Sequence, residues 1–595
     1  ASGPVNFTAN NPSNVYLPFS RTISGNFRVQ TGTVSNISGT AVTLTMSGSN
    51  ATLEVTGVLQ GTDIGAGNDI NLVISGALTT INGSNVTTCK VLNATVNSGS
   101  TLALGRSNVE VRYGAFNING TGTLQIDANG NVASVDGNSR VPVYAATANL
   151  VYNSGGAYGR FVEWSTLSGP AGYPGNVIIQ NGTTLNIGSP ASDLGIVSNL
   201  SLGQTGSAGS LDMQSTAQGI TVGGDVTIGS NTGTSTLTLS TNAGSPALRV
   251  GGNWNRTANG TFVGTGANGR GVFFNGTGAQ SLTAPSTETF QYLLIQKSAG
   301  TVLTLNNPVV VNNTLTLTSG FVQLGSNDLT AATQSSGSSS SYVITNSIGK
   351  LKLNVNNTDI LFPIGTTSST YAPATLNQAS TTETIGVLVA TAPAFTNAVN
   401  DNTQMISLEW KMDESVAGAN SLMTRFQWPN TSEGGSFVRA NGVFHGNWNG
   451  STYVVRPASA TTGANPYVST STVNYTSALS NQAIVVGNIN GIIGCFSTQA
   501  GGSWNTAGTW TSGIVPPSDV SVCINHNVTV GALDPNPNNV LGLTVNPSGA
   551  LNLDVTKTIT FTTGGALVNN SGINQNLGLG SIVGSGVLSI AGANV

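Results

Sequence analysis

The chain has 595 residues, of which only 7% are charged and 38% are hydrophobic. Ordinary globular domains carry about 25% charged residues, and disordered chains lack apolar residues, so the composition fits neither class. The formal net charge is −4, from 18 Lys and Arg against 22 Asp and Glu. Without a basic excess that could neutralise phosphates, we expect no nucleic-acid partner. The length also predicts several structural units rather than one core.

Residues 1–19 are predicted to form an extended N-terminal segment, in which the run from Val5 to Phe19 has only Pro12 and Pro18 to interrupt it. The chain starts at Ala1 without Met and without a signal peptide, which predicts a processed or excised segment. Because no run of about 18 apolar residues occurs, we expect no membrane span. The uncharged, Thr- and Asn-rich composition is typical of extracellular proteins and predicts a place at the cell surface.

Short apolar alternations fill residues 20–165. Val42, Leu44 and Met46 alternate with Thr and Ser, and the same pattern returns at Ile70, Leu72 and Ile74 and in later runs. Strict alternation over a few residues indicates a half-buried strand, and Gly-rich corners such as 61–67 let the chain turn. We predict a β-solenoid unit here, with a string of β-sandwiches as the alternative.

The pattern resumes in residues 166–350 and is clearest from Gly251 to Ala332. Apolar alternations are separated there by Asn-Asn, Ser-Gly and Gly-Ser pairs, which are turn signals. Strand after strand at near-regular spacing, with no helical stretch between them, is typical of a solenoid whose coils stack. This stretch therefore predicts a second β-solenoid unit and sets the all-β, parallel fold class of the chain.

Residues 351–490 carry more charged and aromatic residues and longer alternations. Trp410 and Trp428 alternate in phase with aliphatic residues, which predicts core positions for both. Asn449-Gly450, between two apolar runs, is a hairpin signal. We predict an antiparallel β-sandwich of immunoglobulin-like style, inserted between the solenoid stretches.

The same region holds the residues best suited to site chemistry. Glu409, Asp413 and Glu414 stand near Trp410, but a glycosidase needs two carboxylates that face each other across a sugar. Because Glu409 and Asp413 would share one face of a strand, we expect no catalytic residues. The aromatic residues of the predicted hairpin, Trp448 and Tyr453, are candidate carbohydrate contacts.

Residues 491–595 open with the segment GGSWNTAGTWTSGIVPPSDVSVCINHNVTV, Gly501 to Val530, after which strand alternations return. We expect Trp504 and Trp510 to cap the first coil of a third solenoid stretch. Asp519 is suited to accept backbone N–H groups at a turn. Asp519 and His526 are too few ligands for a metal site, so we expect neither a metal nor another cofactor.

The three cysteines leave alternatives open. Cys495 and Cys523 lie close enough in sequence to form a disulfide, which leaves Cys89 as a free thiol or an intermolecular partner. The other interpretation is that all three are buried and unpaired. Asn-x-Ser/Thr sequons occur at Asn36 and elsewhere, and in a chain rich in these residues they also arise by chance.

Several segments resemble the repeat regions of very large secreted surface proteins of the Bacteroidota. They are the run from Val250 to Ala331, SYVITNSIGKLKLNV and FPIGTTSSTYAPATL after it, and the 501–530 segment. The resemblance covers roughly residues 170–595. It implies an adhesin-like or filament-like role with β-solenoid repeats, and it brings no catalytic residue with it.

We therefore expect an extracellular structural protein, a subunit or segment of a surface filament, sheath or adhesin. Ends that look unfinished indicate either that the chain continues in the native protein or that one subunit's end completes the next. With strand-rich stretches that carry few edge charges, we expect head-to-tail association of the chain with itself. One alternative is a carbohydrate-binding adhesin that contacts surface glycans through the sandwich. The other is a polysaccharide-degrading β-helix enzyme, which the sparse charges of residues 1–350 disfavour, so we expect no enzymatic activity.

Overall fold

The structure is a computed structural model. It describes residues 6–61, 69–84, 88–106, 109–111, 114–132, 140–204, 206–229, 232–242, 248–264, 271–379, 382–392, 395–416, 421–451, 453–463, 465–471, 475, 479, 482–517, 520–546, 548–554, 556–569, 581–584 and 587–590. About 51% of the described residues lie in strands and 3% in helices, which confirms the all-β prediction. The chain forms about 21 turns of parallel β-solenoid. It divides into two compact units, Ala1–Val322 and Gln323–Val595.

The strands of the first unit are short, as the sequence alternations predict. In its N-terminal part they are β1 Phe7–Asn10, β2 Val15–Tyr16, β3 Arg21–Ile23, β4 Asn26–Thr31, β5 Thr33–Ser35, β6 Val42–Met46, β7 Ala51–Val55, β8 Val58–Gln60, β9 Ile70–Ile74, β10 Leu78–Gly83, β11 Cys89–Val91, β12 Ala94–Val96, β13 Thr101–Leu104, β14 Val109–Val111, β15 Phe116–Ile118, β16 Thr123–Asp127, β17 Val143–Tyr144 and β18 Asn149–Asn153.

The remaining strands of this unit continue the same pattern. They are β19 Ala157–Gly159, β20 Asn176–Ile179, β21 Thr183–Asn186, β22 Leu194–Ile196, β23 Leu200–Leu202, β24 Gly209–Asp212, β25 Ile220–Val222, β26 Val226–Ile228, β27 Ser235–Thr238, β28 Leu248–Val250, β29 Trp254–Arg256, β30 Gly260–Val263, β31 Val272–Phe274, β32 Gln280–Thr283, β33 Glu288–Phe290, β34 Leu293–Gln296, β35 Val302–Leu305 and β36 Val309–Ser319. Strand β37, Phe321–Gln323, lies at the unit boundary.

Most turns of the first unit contribute one strand to each of three parallel sheets. The first sheet runs from β1 through β4, β7, β10, β13, β16, β18, β20, β23, β26, β29 and β32 to β35. At the N-terminal end the other two sheets have the strand orders β2-β5-β8-β11-β14 and β3-β6-β9-β12-β15-β17. Further on, the two sheets have the orders β19-β21-β24-β27-β30 and β22-β25-β28-β31-β34-β36. Strands with parallel neighbours on both sides confirm the solenoid over the alternative of β-sandwiches.

The core of the first unit is a set of apolar columns. Because side chains alternate across a strand and the turns are in register, the inward positions of neighbouring turns stack directly. One column is fully buried along its length; its members are Leu124, Leu150, Val177, Leu200, Val226, Trp254 and Leu282. Thr, Ser and Asn occupy the outward positions, where they fit the pleat without charge.

The cross-section of the first unit changes at the loop 160–175. Strand β17 is the last of one sheet, whereas β19 and β22 are the first strands of two others. Trp164 in this loop is fully buried, and its indole N–H donates to the carbonyl of Gly195 at 2.8 Å. The loop therefore contributes core side chains at the point where the sheets exchange.

The second unit begins with parallel strands and continues with antiparallel ones. Its strands are β38 Leu329–Ser335, β39 Val343–Ile344, β40 Leu351–Val355, β41 Ile360–Phe362, β42 Ile364–Thr367, β43 Thr370–Tyr371, β44 Ala374–Gln378, β45 Glu383–Thr391, β46 Met405–Glu414, β47 Leu422–Trp428, β48 Phe444–Trp448, β49 Tyr453–Pro457, β50 Tyr467–Thr470, β51 Gln482–Gly487, β52 Phe496–Ser497, β53 Gly502–Ser503, β54 Val520–Ile524, β55 Asn527–Val530, β56 Val540–Val545, β57 Ala550–Leu553, β58 Thr558–Asn569, β59 Ser581–Gly584 and β60 Val587–Ile590.

Helical structure in the described residues is limited to single turns. Helix α1 spans Ile489–Ile492, and 3₁₀ turns span Asn402–Gln404, Asn430–Ser432, Arg439–Asn441 and Ala507–Thr509. Across the described residues, no helix combines the length and the apolar character needed to cross a membrane.

Two antiparallel sheets face each other in the middle of the second unit. One has the strand order β40-β45-β46-β51-β48-β49 and the other β41-β44-β47-β50. Trp410 and Trp428 are fully buried between them, and the ring of Trp410 lies 4.6 Å from that of Phe426. The core positions predicted for both tryptophans are confirmed, as is the hairpin at Asn449-Gly450, which joins β48 and β49. The immunoglobulin-like arrangement predicted for residues 351–490 is not shown by these pairings.

Parallel turns return after α1. Strands β52, β54, β56 and β58 form one sheet, with β59 and β60 beyond them, and β53, β55 and β57 form another. Trp504 and Trp510 are both fully buried at the start of this stretch, with ring centroids 5.0 Å apart in an edge-to-face arrangement. They belong to an apolar cluster that extends from Met405 to Leu567 and includes Val520 and Val522.

Candidate functional site

A ladder of Asn and Asp side chains connects successive turns of the first unit. The side chain of Asn176 donates to Asn149 Oδ1 at 3.1 Å, and Asn176 Oδ1 accepts the backbone N–H of Asn199 at 3.2 Å. In the same way Asn199 accepts from the backbone of Asp225 at 2.8 Å, and Asp225 from that of Asn253 at 2.6 Å. These partners are 23 to 28 residues apart in the chain, which is one turn.

The ladder extends at both ends and has shorter counterparts. Asn149 donates to Thr123 Oγ1 at 3.2 Å, and Asn253 Oδ1 accepts from the backbone of Ser281 at 2.8 Å. Shorter ladders pair Asn71 with Asn93 at 2.7 Å and Asn525 with Asn546 at 2.6 Å. Each rung adds a hydrogen bond between turns beyond the backbone ladder, and a net gain of about 0.5–1.5 kcal/mol per bond is typical.

A buried polar pair fills one corner of the first unit. Lys297 is 2% exposed, and its Nζ donates to Gly278 O at 2.9 Å and to Gln280 Oε1 at 2.5 Å. The Gln280 amide in turn donates to the Val250 carbonyl at 3.0 Å. Burial lowers the pKa of Lys297 to about 8. The pair therefore ties three consecutive turns together from within.

A buried carboxyl group lies where the sheets exchange. Glu163 Oε1 accepts hydrogen bonds from the hydroxyls of Tyr152 at 3.2 Å and Tyr158 at 3.4 Å and from the backbone N–H of Phe161 at 3.0 Å. Its Oε2 is buried without a hydrogen-bond partner. Burial raises the pKa of Glu163, although the hydrogen bonds and Arg160 act in the opposite direction. The tyrosines come from different sheets, so Glu163 joins them at this point.

The aromatic pair of the hairpin borders a groove of about 350 Å³ in the second unit. Trp448 is half-buried, and its ring meets that of Tyr453 edge-to-face at 5.1 Å. Tyr453 is only 5% exposed, and its hydroxyl donates to the Asn397 carbonyl at 3.4 Å. Burial, and secondarily Glu409, raise the pKa of Tyr453. Trp448 is therefore the aromatic surface that this groove offers, and Tyr453 supports it; the other lining residues are Ala398, Val399, Asn400, Ser451, Ile492 and Ile493.

The carboxylates of β46 are held by different partners. Glu409 accepts from the Thr396 hydroxyl at 2.5 Å, and Asp413 forms an ion pair with Lys350 at 3.0 Å. Glu414 accepts the backbone N–H of Leu479 at 3.0 Å. Glu409 and Asp413 share a strand face but lie about 13 Å apart along it, at about 3.3 Å per residue. The two carboxylates are engaged by separate partners, Thr396 and Lys350, rather than by a common one.

Cys495 and Cys523 form a disulfide with Cα atoms 5.8 Å apart. Cys523 lies on β54, and the adjacent residue pair Phe496 and Val522 is in register, so the disulfide joins two neighbouring turns. Cys89 is a buried free thiol whose pKa burial raises to about 11. The structure thus contains the disulfide that the sequence left open.

The sequence also singled out His526 and Asp519 as too few ligands for a metal site. His526 Nδ1 lies 3.1 Å from the Thr498 hydroxyl, and Asp519 is outside the described residues. In the part of the chain that the structure describes, no three His, Cys, Asp or Glu side chains group as metal ligands would. The sequon residue Asn36 is fully buried and its amide donates to Thr40 O at 2.7 Å and Asp69 O at 3.1 Å, so it is not accessible to a glycosyltransferase.

The ladder is not among the features predicted from the sequence, because Asn between strands is also a common turn residue. A signal was present. Asn or Asp stands directly before the first inward apolar residue in consecutive turns; the pairs are Asn149-Leu150, Asn176-Val177, Asn199-Leu200, Asp225-Val226 and Asn253-Trp254. Turn-length spacing of such pairs predicts a ladder once the solenoid is recognised.

Comparison with models of protein families, with curated proteins and with solved structures found no match. The description of the chain as a large β-solenoid protein therefore comes from its own strand pairing.

Proposed function

We propose that the chain is an extracellular structural protein, a subunit or segment of a cell-surface filament, sheath or adhesin. The observation that carries the proposal is the side-chain ladder from Thr123 to Ser281, which reinforces six successive turn-to-turn contacts of the first unit. Bonds repeated at each turn resist separation of the turns, which is what a structural element requires. The resemblance of the sequence to Bacteroidota-type surface proteins supports the same structural role.

The disulfide supports the location. Disulfides persist in oxidising compartments and are rare in the cytosol, so the Cys495–Cys523 bond favours an extracellular site. The low charge content, 7%, favours self-association, because soluble β proteins usually protect their strand edges with charges. The proposal includes head-to-tail association of the chain with itself. It does not include a catalytic role.

Force spectroscopy tests the mechanical part of the proposal. Pulling the full chain from both ends should release the first unit in discrete steps of one turn, 23 to 28 residues. At about 3.5 Å per residue, each step lengthens the chain by roughly 80–100 Å. A first unit that extends smoothly at low force, without turn-sized steps, would contradict a load-resisting role.

A carbohydrate-binding adhesin is the second candidate, favoured by the groove beside Trp448. Half-buried aromatic rings offer a flat apolar face while one edge stays packed, and such rings suit sugar stacking. Glycan-array binding by the intact chain should then weaken at least tenfold in Trp448→Ala. Binding that is unchanged in this variant would remove the groove beside Trp448 from consideration.

A further inference from the structure

A second groove lies on the outer face of the four-stranded antiparallel sheet, away from Trp448 and Tyr453. Its floor consists of cross-strand pairs: Thr375 opposite Arg425, and Arg425 opposite Thr470. The next row places Gln427 opposite Val468. Because side chains alternate across a strand, these residues face outward while the core residues between them face inward.

One wall of this groove is fixed by main-chain hydrogen bonds. The Ser459 N–H donates to Thr470 O at 2.7 Å, and Thr470 N–H donates to Ser459 Oγ at 3.1 Å. Thr462 and Val468 exchange backbone hydrogen bonds at 3.0 Å in both directions. With Pro373 at its border, the groove encloses about 500 Å³, within the range of about 300–1,000 Å³ typical of ligand sites.

The guanidinium of Arg425 is held in place. Its Nε donates to Thr470 Oγ1 at 3.2 Å, and its Nη1 lies 3.1 Å from Asp359 Oδ2. Asp359 also accepts from the Asn377 amide at 3.1 Å. Arg425 and Asp359 balance each other's charge, so the groove offers oriented hydrogen-bonding groups rather than a positive field.

The remaining lining is rich in hydroxyl and amide groups. Thr375, Thr462 and the carboxamide of Gln427 can both donate and accept hydrogen bonds, whereas only Pro373 and Val468 are apolar. A ligand that matches this surface carries many hydroxyl groups and no net charge. The paired donors and acceptors of vicinal sugar hydroxyls have this chemistry, and the open floor of two residue rows leaves room for a chain of sugars to lie across it.

We infer that this groove, the Arg425 groove, binds a neutral glycan chain through Arg425 and Gln427. The site is distinct from the groove beside Trp448 and adds a binding activity to the proposed structural role. It does not depend on self-association, so a monomeric chain would leave it intact.

Isothermal titration of the intact chain with cellohexaose, xylohexaose, mannohexaose and laminarihexaose tests the inference. At least one of these neutral probes should bind, and Gln427→Ala should weaken that binding at least tenfold. Arg425→Lys keeps the charge but loses the planar fork, and it should also weaken binding. Met423→Ala, on the same outward face of β47 but outside the groove, should leave binding unchanged.

Circular dichroism of each variant separates loss of binding from loss of folding. The inference is overturned if no neutral probe binds at millimolar concentration. It is equally overturned if Gln427→Ala binds as the unaltered chain does, or if Met423→Ala weakens binding as much as Gln427→Ala does.

Discussion

Glu163 is a carboxyl group whose proton should couple to the folding of the first unit. Burial raises its pKa above the usual 4.5. The folded state therefore binds the proton more tightly than the unfolded state, so its contribution is complete below about pH 4.5 and is lost as pH rises through the folded pKa. Glu163→Gln keeps the size and the polar contacts without the charge. We expect it to stabilise the first unit at neutral pH and to flatten the dependence of unfolding free energy on pH.

Chemical denaturation of the intact chain at a series of pH values measures this effect. Glu54→Gln is the matched control, since Glu54 is a partly exposed partner of Arg28 in the same unit, and such surface pairs contribute little. Equal pH dependence in Glu163→Gln and the unaltered chain would show that Glu163 does not titrate with folding.

His445 should make the stability of the second unit depend on pH in the opposite direction to Glu163 in the first unit. It is fully buried, and burial, with Arg456 secondarily, lowers its pKa from 6.5 to about 3. Between these values the unfolded state binds the proton and the folded state does not. Stability is therefore complete above about pH 6.5 and falls with acidification, by at most about 1.4 kcal/mol per pH unit.

In His445→Gln this acid-dependent loss should disappear, even if the variant starts from a lower stability. His445 Nε2 lies 2.8 Å from the Ser469 hydroxyl and Nδ1 lies 3.3 Å from that of Thr424, and the Gln amide can reach similar partners. Thermal unfolding of the second unit between pH 7 and pH 4 provides the measurement. If the variant loses stability on acidification as steeply as the unaltered chain does, groups other than His445 cause that loss.

The ladder is the feature to test at the scale of the element. Asn176→Ala removes its bond to Asn149 and leaves the backbone N–H of Asn199 without its side-chain acceptor. We expect a loss of about 1–2 kcal/mol in the unfolding free energy of the first unit. Ser201→Ala, on the outward face of β23 in the next turn, is the control and should change little. Equal stability of the two variants, measured by denaturant titration, would show that the ladder does not stabilise the turns.

The disulfide should stabilise the C-terminal turns of the second unit. It closes a sequence separation of 28 residues, for which chain entropy predicts about 3–4 kcal/mol. The double variant Cys495→Ser, Cys523→Ser should lose roughly this amount, and reductant should destabilise the unaltered chain but not the variant. If reductant leaves the melting of the unaltered chain unchanged, the disulfide contributes nothing measurable.

The sequence predicted those elements that depend on a single local pattern of residues. Alternation of Leu, Ile and Val with Thr and Ser gave the strands, the phase of Trp410 and Trp428 gave their burial, and Asn449-Gly450 gave the hairpin. Features that form only where several distant segments of the chain meet could not be predicted from the sequence. The Glu163 site depends on which sheets meet at the loop 160–175, and the Arg425 groove depends on the register between β44, β47 and β50.

At the scale of the whole molecule, the strand pairings explain how so few charges support a large fold. The apolar columns bury the inward side chains, and the ladder and the backbone bonds satisfy polar groups between turns. Outward faces rich in Thr, Ser and Asn carry few of the charges that prevent edge-to-edge association. This composition supports the proposed assembly of the chain with copies of itself.

The central claim is that the chain acts as a self-associating structural protein. Sedimentation velocity of the intact, oxidised chain at increasing concentration, with electron microscopy of the same samples, tests it most directly. We predict that the sedimentation coefficient rises with concentration and that open filaments appear, because a head-to-tail contact that does not close gives a filament. A monodisperse monomer at the highest concentration, with no filaments by microscopy, would contradict the claim.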